Sequence, residues 1–346
     1  MTAVSRKILI TGGSGFVGSA IVEKLLNQGH KITNIDLIDA QINHENYKYV
    51  PEDILNKESI SKYFNGVDVV IHAAAKLPLH KKKSSYELVN IQGTKNIVDL
   101  SNESSVEYFM YLSSSAIMGK QNLEISENSE PNPFEPYGIS KYKGELIIKD
   151  TLNKSIKYSM IRPRTVVGDE RLGIFGLLFS FFKNSIPVFL LGNGKNCLQL
   201  IDKDELVEVI VRLIEHNIQG VFNLGNNDSA TIYETFFEFK KIIKSESKIV
   251  KLPKKITMLI LTILDKLNLS PFAPYHYKAF GESVMFTSSK AYEITNYFPK
   301  KNNVEILHNA YKNYEFIQND DESVSTHKKD INLKIFRILK IFKKRK

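Results

Sequence analysis

Short apolar runs alternate with longer amphipathic segments over the first half of the chain. The longer segments predict helices near 15–29, 84–102 and 137–152. Because helices separate the apolar runs, the strands should pair in parallel, which predicts an α/β fold with a doubly wound sheet. The apolar runs that predict strands are KILIT (7–11), KITNID (31–36), VDVVIHAA (67–74), YFMYLSS (108–114) and YSMIRP (158–163).

The alternation of strands and helices becomes less regular after Gly168. Helices are predicted near 173–184, 203–216 and 231–245, with short strands near 187–191 and 221–224. We therefore expect a first domain at 1–168 and a mainly substrate-binding lobe at 169–317, some elements of which pack back on the first. The polar segment 318–330 lacks periodicity and predicts a linker, which leaves 331–346 as a separate C-terminal helix.

The formal charge of +9 is concentrated at the C-terminus. Residues 328–346 contain nine Lys or Arg and one Asp, so the rest of the chain is close to neutral. A nearly neutral body has no basic stripe for a phosphate backbone, and we expect no nucleic-acid binding. On a helix, the tail separates apolar from basic residues, which favours peripheral contact with an anionic membrane. Packing on the body or on a partner remains the alternative.

Cysteine and hydropathy indicate the compartment. The single cysteine, Cys197, excludes an intrachain disulfide, and no signal-peptide pattern precedes the first strand. The apolar stretch 256–269 is too short to span a bilayer and contains Asp265, so it predicts a packed helix. We expect a cytoplasmic protein, with peripheral attachment to the inner face of the cell membrane as a further possibility. The histidines show no metal-binding spacing, so no metal is expected.

A glycine-rich loop joins the first strand to the first helix. In TGGSGFVG, the spacing of Gly12, Gly15 and Gly18 allows a tight turn and close approach of the backbone to a pyrophosphate at a helix N-terminus. Asp36 ends the second strand, 18 residues beyond Gly18. A carboxylate there accepts hydrogen bonds from a ribose 2′-hydroxyl and repels a 2′-phosphate, so NAD is favoured over NADP. Asp53 stands where a third strand could end, or it caps the following helix.

Together these motifs resemble the extended short-chain dehydrogenase/reductase superfamily, in its NAD-dependent epimerase/dehydratase branch. The resemblance covers roughly 7–317 and includes TGGSGFVG, EDI (52–54), HAAA (72–75), NIQGTKN (90–96), LSSSAIMG (112–119), PYGISK (136–141) and IRPRTVVG (161–168). It implies a Rossmann-type domain that binds NAD, a nucleotide-sugar substrate, and a homodimer formed through the helices near 84–102 and 137–152. The implied cofactor-binding residues are Gly12, Gly15, Phe16, Val17, Gly18, Asp36, Asp53, Ile54, Ala73, Ala74, Ala75, Asn90, Tyr137, Lys141 and Pro163.

In this family the residues of Y-x-x-x-K carry the chemistry. The resemblance makes Tyr137 the general acid/base, whereas Lys141 binds the nicotinamide ribose and its charge lowers the pKa of the phenol. A free phenol titrates near ~10, which is too high for a base at neutral pH. Ser114 is expected to orient the substrate hydroxyl, with Ser115 as the alternative.

Departures from the family pattern exclude some of the family's reactions but do not identify the substrate. Dehydratases and decarboxylases carry an acid just after the catalytic Ser/Thr, whereas this chain has Ser115 and Ala116. We therefore expect a sugar-nucleotide epimerase in surface polysaccharide synthesis, which passes through a transient keto-sugar. The alternative is an NAD(P)-dependent dehydrogenase or reductase of a lipophilic alcohol, ketone or lipid-linked sugar.

The second lobe of the family often presents an arginine to the substrate phosphates, and here Cys197 takes that place. Either Arg171, Lys183 or Lys195 compensates, or the ligand carries no diphosphate. The expected substrate-binding residues are Ser114, Ser115, Arg164, Arg171 and Cys197. Of the histidines, His72 is expected to be structural, and His80 opens a basic loop.

Overall fold

The computed structural model describes residues 5–77, 86–119, 124–168, 173–255, 257–259, 285–287 and 289–319. Its centre is a seven-stranded parallel sheet. The strands of this sheet are β1 (Lys7–Thr11), β2 (Lys31–Asp36), β3 (Tyr47–Pro51), β4 (Val69–His72), β5 (Tyr108–Leu112), β7 (Lys157–Pro163) and β11 (Gly220–Leu224). They pair in the order β11-β7-β5-β4-β1-β2-β3. The predicted doubly wound α/β sheet is confirmed.

Shorter strands and the helices complete the described chain. The short strands are β6 (Glu124–Ile125), β8 (Thr165–Val167), β9 (Val188–Leu191), β10 (Leu200–Asp202), β12 (Ile249–Leu252) and β13 (Met285–Phe286). The helices are α1 (Phe16–Asn27), α2 (Lys57–Ser61), α3 (Thr94–Asn102), α4 (Pro136–Thr151), α5 (Gly173–Lys183), α6 (Lys203–Glu215), α7 (Ile232–Ile242), α8 (Ser289–Thr295) and α9 (Asn303–Asn319). Two 3₁₀ turns, Lys62–Phe64 and Ser115–Met118, and a π-helical segment, Glu87–Gly93, lie between them.

Both faces of the sheet are buried, as the near-continuous apolar strands require. Successive residues of β1 point to opposite faces: Ile8 and Ile10 pack in one cluster with α1 and α6. Leu9 packs in the other cluster, with Ile97 of α3 and Ile148 of α4. Because the strands are parallel, their carboxyl ends all lie on the same side of the sheet, and ligands of open parallel sheets bind outside these ends.

The chain forms two compact units. The first consists of Met1–Val166, Leu200–Asn227 and Met285–Lys300, so α6 and the seventh strand, β11, belong to it. The second consists of Val167–Gln199, Asp228–Val284 and Lys301–Lys346. Within the second unit, Phe179 packs against the rings of Phe239, Tyr311 and Tyr314 at centroid distances of 5.4–5.8 Å.

Several predicted segments lie outside the described residues. They include most of 256–269 and the predicted C-terminal helix at 331–346. The described chain ends with α9 at Asn319, two residues into the predicted linker. Among the described helices, none is both long and apolar enough to cross a bilayer.

Candidate active site

The glycine-rich loop folds back tightly at the end of β1. Gly12 has φ +75°, a conformation that side chains disfavour, and a Cβ there would lie 2.5 Å from the Ala74 amide nitrogen. Gly15 N–H donates to the Gly12 carbonyl at 3.0 Å, which closes the turn. A Cβ at Gly18 would overlap the same carbonyl, so Gly18 lets α1 pack against the loop. The loop therefore requires glycine at positions 12 and 18.

The N-terminus of α1 is a cradle for an anion. Gly15 caps the helix without a side chain, so no described side chain competes for the first-turn amides of Phe16 and Val17. Free N–H groups and the positive end of the helix dipole suit a pyrophosphate. The residues present thus fit the phosphates of a dinucleotide.

Asp36 lies beside this loop. Its Oδ2 accepts from Ser14 N–H at 3.0 Å, and its Oδ1 accepts from Ile38 N–H at 3.2 Å. Each carboxylate oxygen has more than one acceptor site, so the group still has capacity for a ribose hydroxyl. This geometry fits the ribose role predicted for Asp36.

Asp53 and Ile54 follow β3. Asp53 Oδ1 accepts from Leu55 N–H at 2.9 Å in a local turn. The alternative that Asp53 caps a helix is wrong, because Asn56 accepts from Ser59 N–H and caps α2. Ile54 is buried, and a Cβ at Gly93 would overlap its side chain. Ile54 therefore sets the spacing between this segment and the π-helical segment Glu87–Gly93.

His72 ends β4 and is fully buried between two threonines. Its Nδ1 is 2.7 Å from Thr11 Oγ1, and its Nε2 is 2.9 Å from Thr94 Oγ1. Burial, and secondly the positive charge of Lys141, lower the pKa of His72 to about 3. A neutral imidazole that joins β1 to α3 is a structural residue. The half-buried residues Ala73–Ala75 continue from it along the edge of the sheet.

Asn90 lies in the π-helical segment and links three parts of the site. Its side chain accepts from Lys76 N–H at 2.7 Å, and its Nδ2 donates to the Lys76 carbonyl at 3.1 Å and to Ser140 Oγ at 2.9 Å. Ser140 lies on α4 between Tyr137 and Lys141. Asn90 therefore holds the backbone of Lys76 next to helix α4.

Helix α4 presents Tyr137 and Lys141 from its first two turns. Glu135 caps this helix, because its carboxylate accepts from the backbone N–H groups of Tyr137 and Gly138. A Cβ at Gly138 would overlap the Ala116 carbonyl, so the helix approaches the 3₁₀ turn after β5 closely. Tyr137 is 7% exposed. The cap and the close approach fix where the phenol lies.

Lys141 is almost completely buried against Tyr111 of β5. Its Nζ lies 4.2 Å from the centroid of the Tyr111 ring, a cation–π arrangement. Burial lowers the pKa of Lys141 to about 7, although the negative charge of Glu145 opposes the shift. The amine of the ligand-free chain therefore titrates near neutral pH.

Ser114 opens the 3₁₀ turn Ser115–Met118 and is buried with Ser115. Its Oγ accepts from Ala116 N–H at 3.2 Å. Because Gly138 lies against Ala116, this turn and the head of α4 are neighbours, which places Ser114 and Tyr137 in one region of the first unit. The predicted catalytic side chains are thus brought to one end of the sheet.

The remaining predicted residues are dispersed. Pro163 ends β7 in register with Leu224, and the Arg164 guanidinium lies 5.5 Å from the centroid of the Phe286 ring. Cys197 belongs to the second unit, where it forms an isolated β-bridge with Thr231. Lys183 and Lys195 belong to the same unit, and both are exposed. Arg171 and His80 lie outside the described residues.

Sequence reasoning missed four residues that support the site: Ser113, Glu135, Glu145 and Arg162. Glutamate is not among the preferred N-cap residues, so nothing local indicates that Glu135 caps α4. Arg162 occurs inside the motif IRPRTVVG and Glu145 lies four residues beyond PYGISK, but a charged residue is ordinarily expected at the surface. Within the part of the chain that the structure describes, no group of His, Cys, Asp and Glu could hold a metal ion.

Comparison with known proteins gives the family. Residues 8–225 match the sequence profile of the NAD-dependent epimerase/dehydratase family. Protein y4nG of Sinorhizobium fredii is 32% identical over 317 residues, which cover 90% of this chain and 79% of that protein.

Solved structures share the fold. Bordetella bronchiseptica WbmG in complex with NAD has a TM-score of 0.74 at 19% identity and covers 90% of this chain and 95% of its own. The UDP-glucuronic acid 4-epimerase of Bacillus cereus, in complex with UDP-glucuronic acid and NAD, has a TM-score of 0.72 at 23% identity and covers 90% of this chain and 99% of its own. The predictions of an enzyme and of NAD as its cofactor are confirmed at the level of the family. The loop, the buried lysine–tyrosine pair and the profile lead to one conclusion: the chain belongs to the NAD-dependent epimerase/dehydratase family of extended short-chain dehydrogenases/reductases.

Proposed function

We propose that this protein is a sugar-nucleotide epimerase that inverts a hydroxyl-bearing carbon of the sugar. The observation that carries the proposal is the placement of Tyr137 and the buried Lys141 on one helix, next to the turn that bears Ser114. The fold shared with the Bacillus cereus UDP-glucuronic acid 4-epimerase supports it.

Each of the three side chains has a separate task. Tyr137 removes the proton from the sugar hydroxyl and later returns it, through its phenolic oxygen. Lys141 holds a positive charge near the phenol and donates to a ribose hydroxyl of the dinucleotide. Ser114 hydrogen-bonds the reacting sugar oxygen. When bound, NAD⁺ supplies the acceptor for the hydride that leaves the same carbon.

The residues beside Ser114 limit the reaction. Ser115 and Ala116 offer no carboxylate there, so this position provides no second acid or base for eliminating water or for handling another carbon. Epimerisation needs only the proton-transfer pair, a hydroxyl partner and the dinucleotide. We therefore favour epimerisation over dehydration or decarboxylation.

The test combines a substrate panel with cofactor analysis. Purified protein is incubated with UDP-glucose, UDP-N-acetylglucosamine, UDP-glucuronic acid and their dTDP counterparts, and epimers are detected by proton NMR. Native mass spectrometry of the same protein determines the bound dinucleotide. An epimer without net oxidation, together with stoichiometric NAD⁺, supports the proposal. An empty site, with turnover only when NAD(H) is added, contradicts the epimerase proposal and supports the dehydrogenase or reductase alternative.

We further propose the cellular setting. Sugar nucleotides are activated glycosyl donors, so the product would serve surface polysaccharide synthesis in the cytoplasm. The basic tail at 328–346 would hold the enzyme at the inner face of the membrane, where an anionic surface attracts lysine-rich segments. The enzyme would be a homodimer through α3 and α4; sedimentation equilibrium tests that assembly.

A further inference from the structure

A buried ion pair lies one helical turn beyond Lys141. The Arg162 guanidinium donates two hydrogen bonds to the Glu145 carboxylate, from Nε to Oε1 at 2.9 Å and from Nη2 to Oε2 at 2.7 Å. The Glu145 side chain is 0% exposed and that of Arg162 is 2% exposed. Buried charges are tolerated only when both partners are well bonded, because each alone is costly to remove from water.

The same carboxylate holds the end of β5. Ser113 Oγ donates to Glu145 Oε1 at 2.6 Å, and Ser113 N–H donates to the Ile161 carbonyl on β7 at 2.7 Å. Ser113 directly precedes Ser114. Through Glu145, therefore, α4, β7 and the residue before the proposed catalytic serine are bonded to one another.

We propose that Glu145 is a positioning residue of the active site, whose carboxylate fixes the Ser114 segment against helix α4 and places a buried negative charge one helical turn from Lys141. This inference rests on the proposed function, because it takes Tyr137, Lys141 and Ser114 as the reacting groups. Arg162 and Ser113 hold the carboxylate in place.

The surroundings of Lys141 single out this carboxylate. From the sheet, Lys141 is faced by Tyr111 of β5 and His72 of β4. His72 is neutral because its pKa is about 3, and burial raises the pKa of Tyr111 well above its usual value. Neither ring carries a charge at neutral pH.

The other titratable groups lie on α4 and β7. Tyr137 shares the helix with Lys141, and a negative charge on the Tyr137 phenol raises the pKa of Tyr111. Arg162 of β7 is bonded to Glu145 through both of its carboxylate oxygens. Among the residues that the structure describes, Glu145 is the group whose negative charge opposes the effect of burial on Lys141.

The first experiment removes the negative charge and keeps the shape of the side chain. In Glu145→Gln the amide oxygen can still accept a hydrogen bond from Arg162 or Ser113, but the carboxylate charge is lost while the Arg162 charge remains. The protonation of Lys141 is followed in the ligand-free protein by NMR of the ¹³C-labelled lysine Cε, assigned by its loss in Lys141→Arg. We expect the variant to remain folded and the titration midpoint to fall by about one pH unit, which corresponds to a roughly tenfold shift in the protonation equilibrium. A wild-type midpoint overturns the inference.

The second experiment removes one hydrogen bond and no charge. Ser113→Ala should lower kcat about tenfold and leave KM unchanged, measured with the sugar nucleotide that turns over in the panel. A wild-type kcat overturns the positioning role, and this variant carries the test if Glu145→Gln does not fold. Glu205→Gln is the control: Glu205 is also buried, but it accepts from Lys300 N–H, and it should leave both readouts unchanged. If no panel member turns over, the proposed function fails, whereas the NMR titration still tests Glu145.

Discussion

The Lys141 ammonium lies 4.2 Å from the centroid of the Tyr111 ring, inside the protein. The ring face offers a weak attraction, but it does not replace the water that the ammonium loses. The folded chain therefore carries a lysine whose charged form is disfavoured, with a pKa near 7 instead of 10.5. Such a group is maintained at the expense of stability, which is typical of functional sites.

Replacing Lys141 should stabilise the fold. Between pH 7 and pH 10.5 the unfolded chain binds this proton and the folded chain does not, so wild-type stability rises with pH across that window. Lys141→Met should thus raise the unfolding free energy at pH 7 by on the order of a few kcal/mol, and the gain should vanish near pH 10.5. Thermal unfolding at several pH values measures it. Lys143→Met, at an exposed position of the same helix, is the control. Equal pH dependence of the two variants would contradict the assigned cause.

Removing the Tyr137 hydroxyl should stop catalysis and preserve binding. Tyr137→Phe keeps the buried ring but loses the group that transfers the proton, so turnover should fall by about 10²- to 10⁴-fold. Epimer formation by NMR gives the rate, and native mass spectrometry gives the dinucleotide content, which should not change. Tyr142→Phe, five residues further along α4, should keep wild-type turnover. Full activity of Tyr137→Phe would exclude the assigned role.

Loss of the Glu135 cap should affect rate more than stability. Glu135→Ala frees the Tyr137 and Gly138 amides, and loss of an N-cap costs about 1 kcal/mol. Because one of those amides belongs to the proposed catalytic residue, we expect kcat to fall more than tenfold. Urea unfolding and steady-state kinetics check the two effects. Glu135→Asp, with a favourable cap residue, should recover most of the rate; if it recovers stability alone, the cap does not position Tyr137.

Truncation should separate membrane binding from chemistry. A chain that ends at residue 327 should lose sedimentation with phosphatidylglycerol-containing vesicles, because the tail carries most of the net charge. Turnover of soluble sugar nucleotide should be retained. Raising the salt concentration should weaken the binding of the full chain, since exposed charges are screened. Vesicle binding by the truncated chain at the wild-type level would assign the contact to another surface.

The sequence predicts the individual elements well and their partnership poorly. Hydrophobic periodicity located β1, β2, β4, β5 and β7 within two residues at each end, because apolar strands buried on both faces have a strong local pattern. The return of α6 and β11 to the central sheet depends on pairing with β7 across a long separation in the chain. Local periodicity contains no information about such pairing.

The candidate site divides in the same way. Tyr137, Lys141 and the glycine loop are recognisable from spacing and resemblance, because their chemistry requires fixed intervals. The bonds of Glu145 to Arg162 and Ser113 join residues far apart in sequence, and only folding brings these polar groups together in the interior. The role of a buried charged residue can therefore be inferred only once the residues that it contacts are known.

The interleaving of the two units limits how this chain can be dissected. A fragment that ends near residue 166 omits β11 and leaves β7 as an open edge of parallel sheet, a surface that invites aggregation. Exchanging the second unit for that of a relative would accordingly require replacing three separate segments of the chain while keeping the segments Leu200–Asn227 and Met285–Lys300 of the first unit. Each unit is compact in space, but neither is a continuous stretch of the sequence, so neither can be excised or exchanged as a single gene segment.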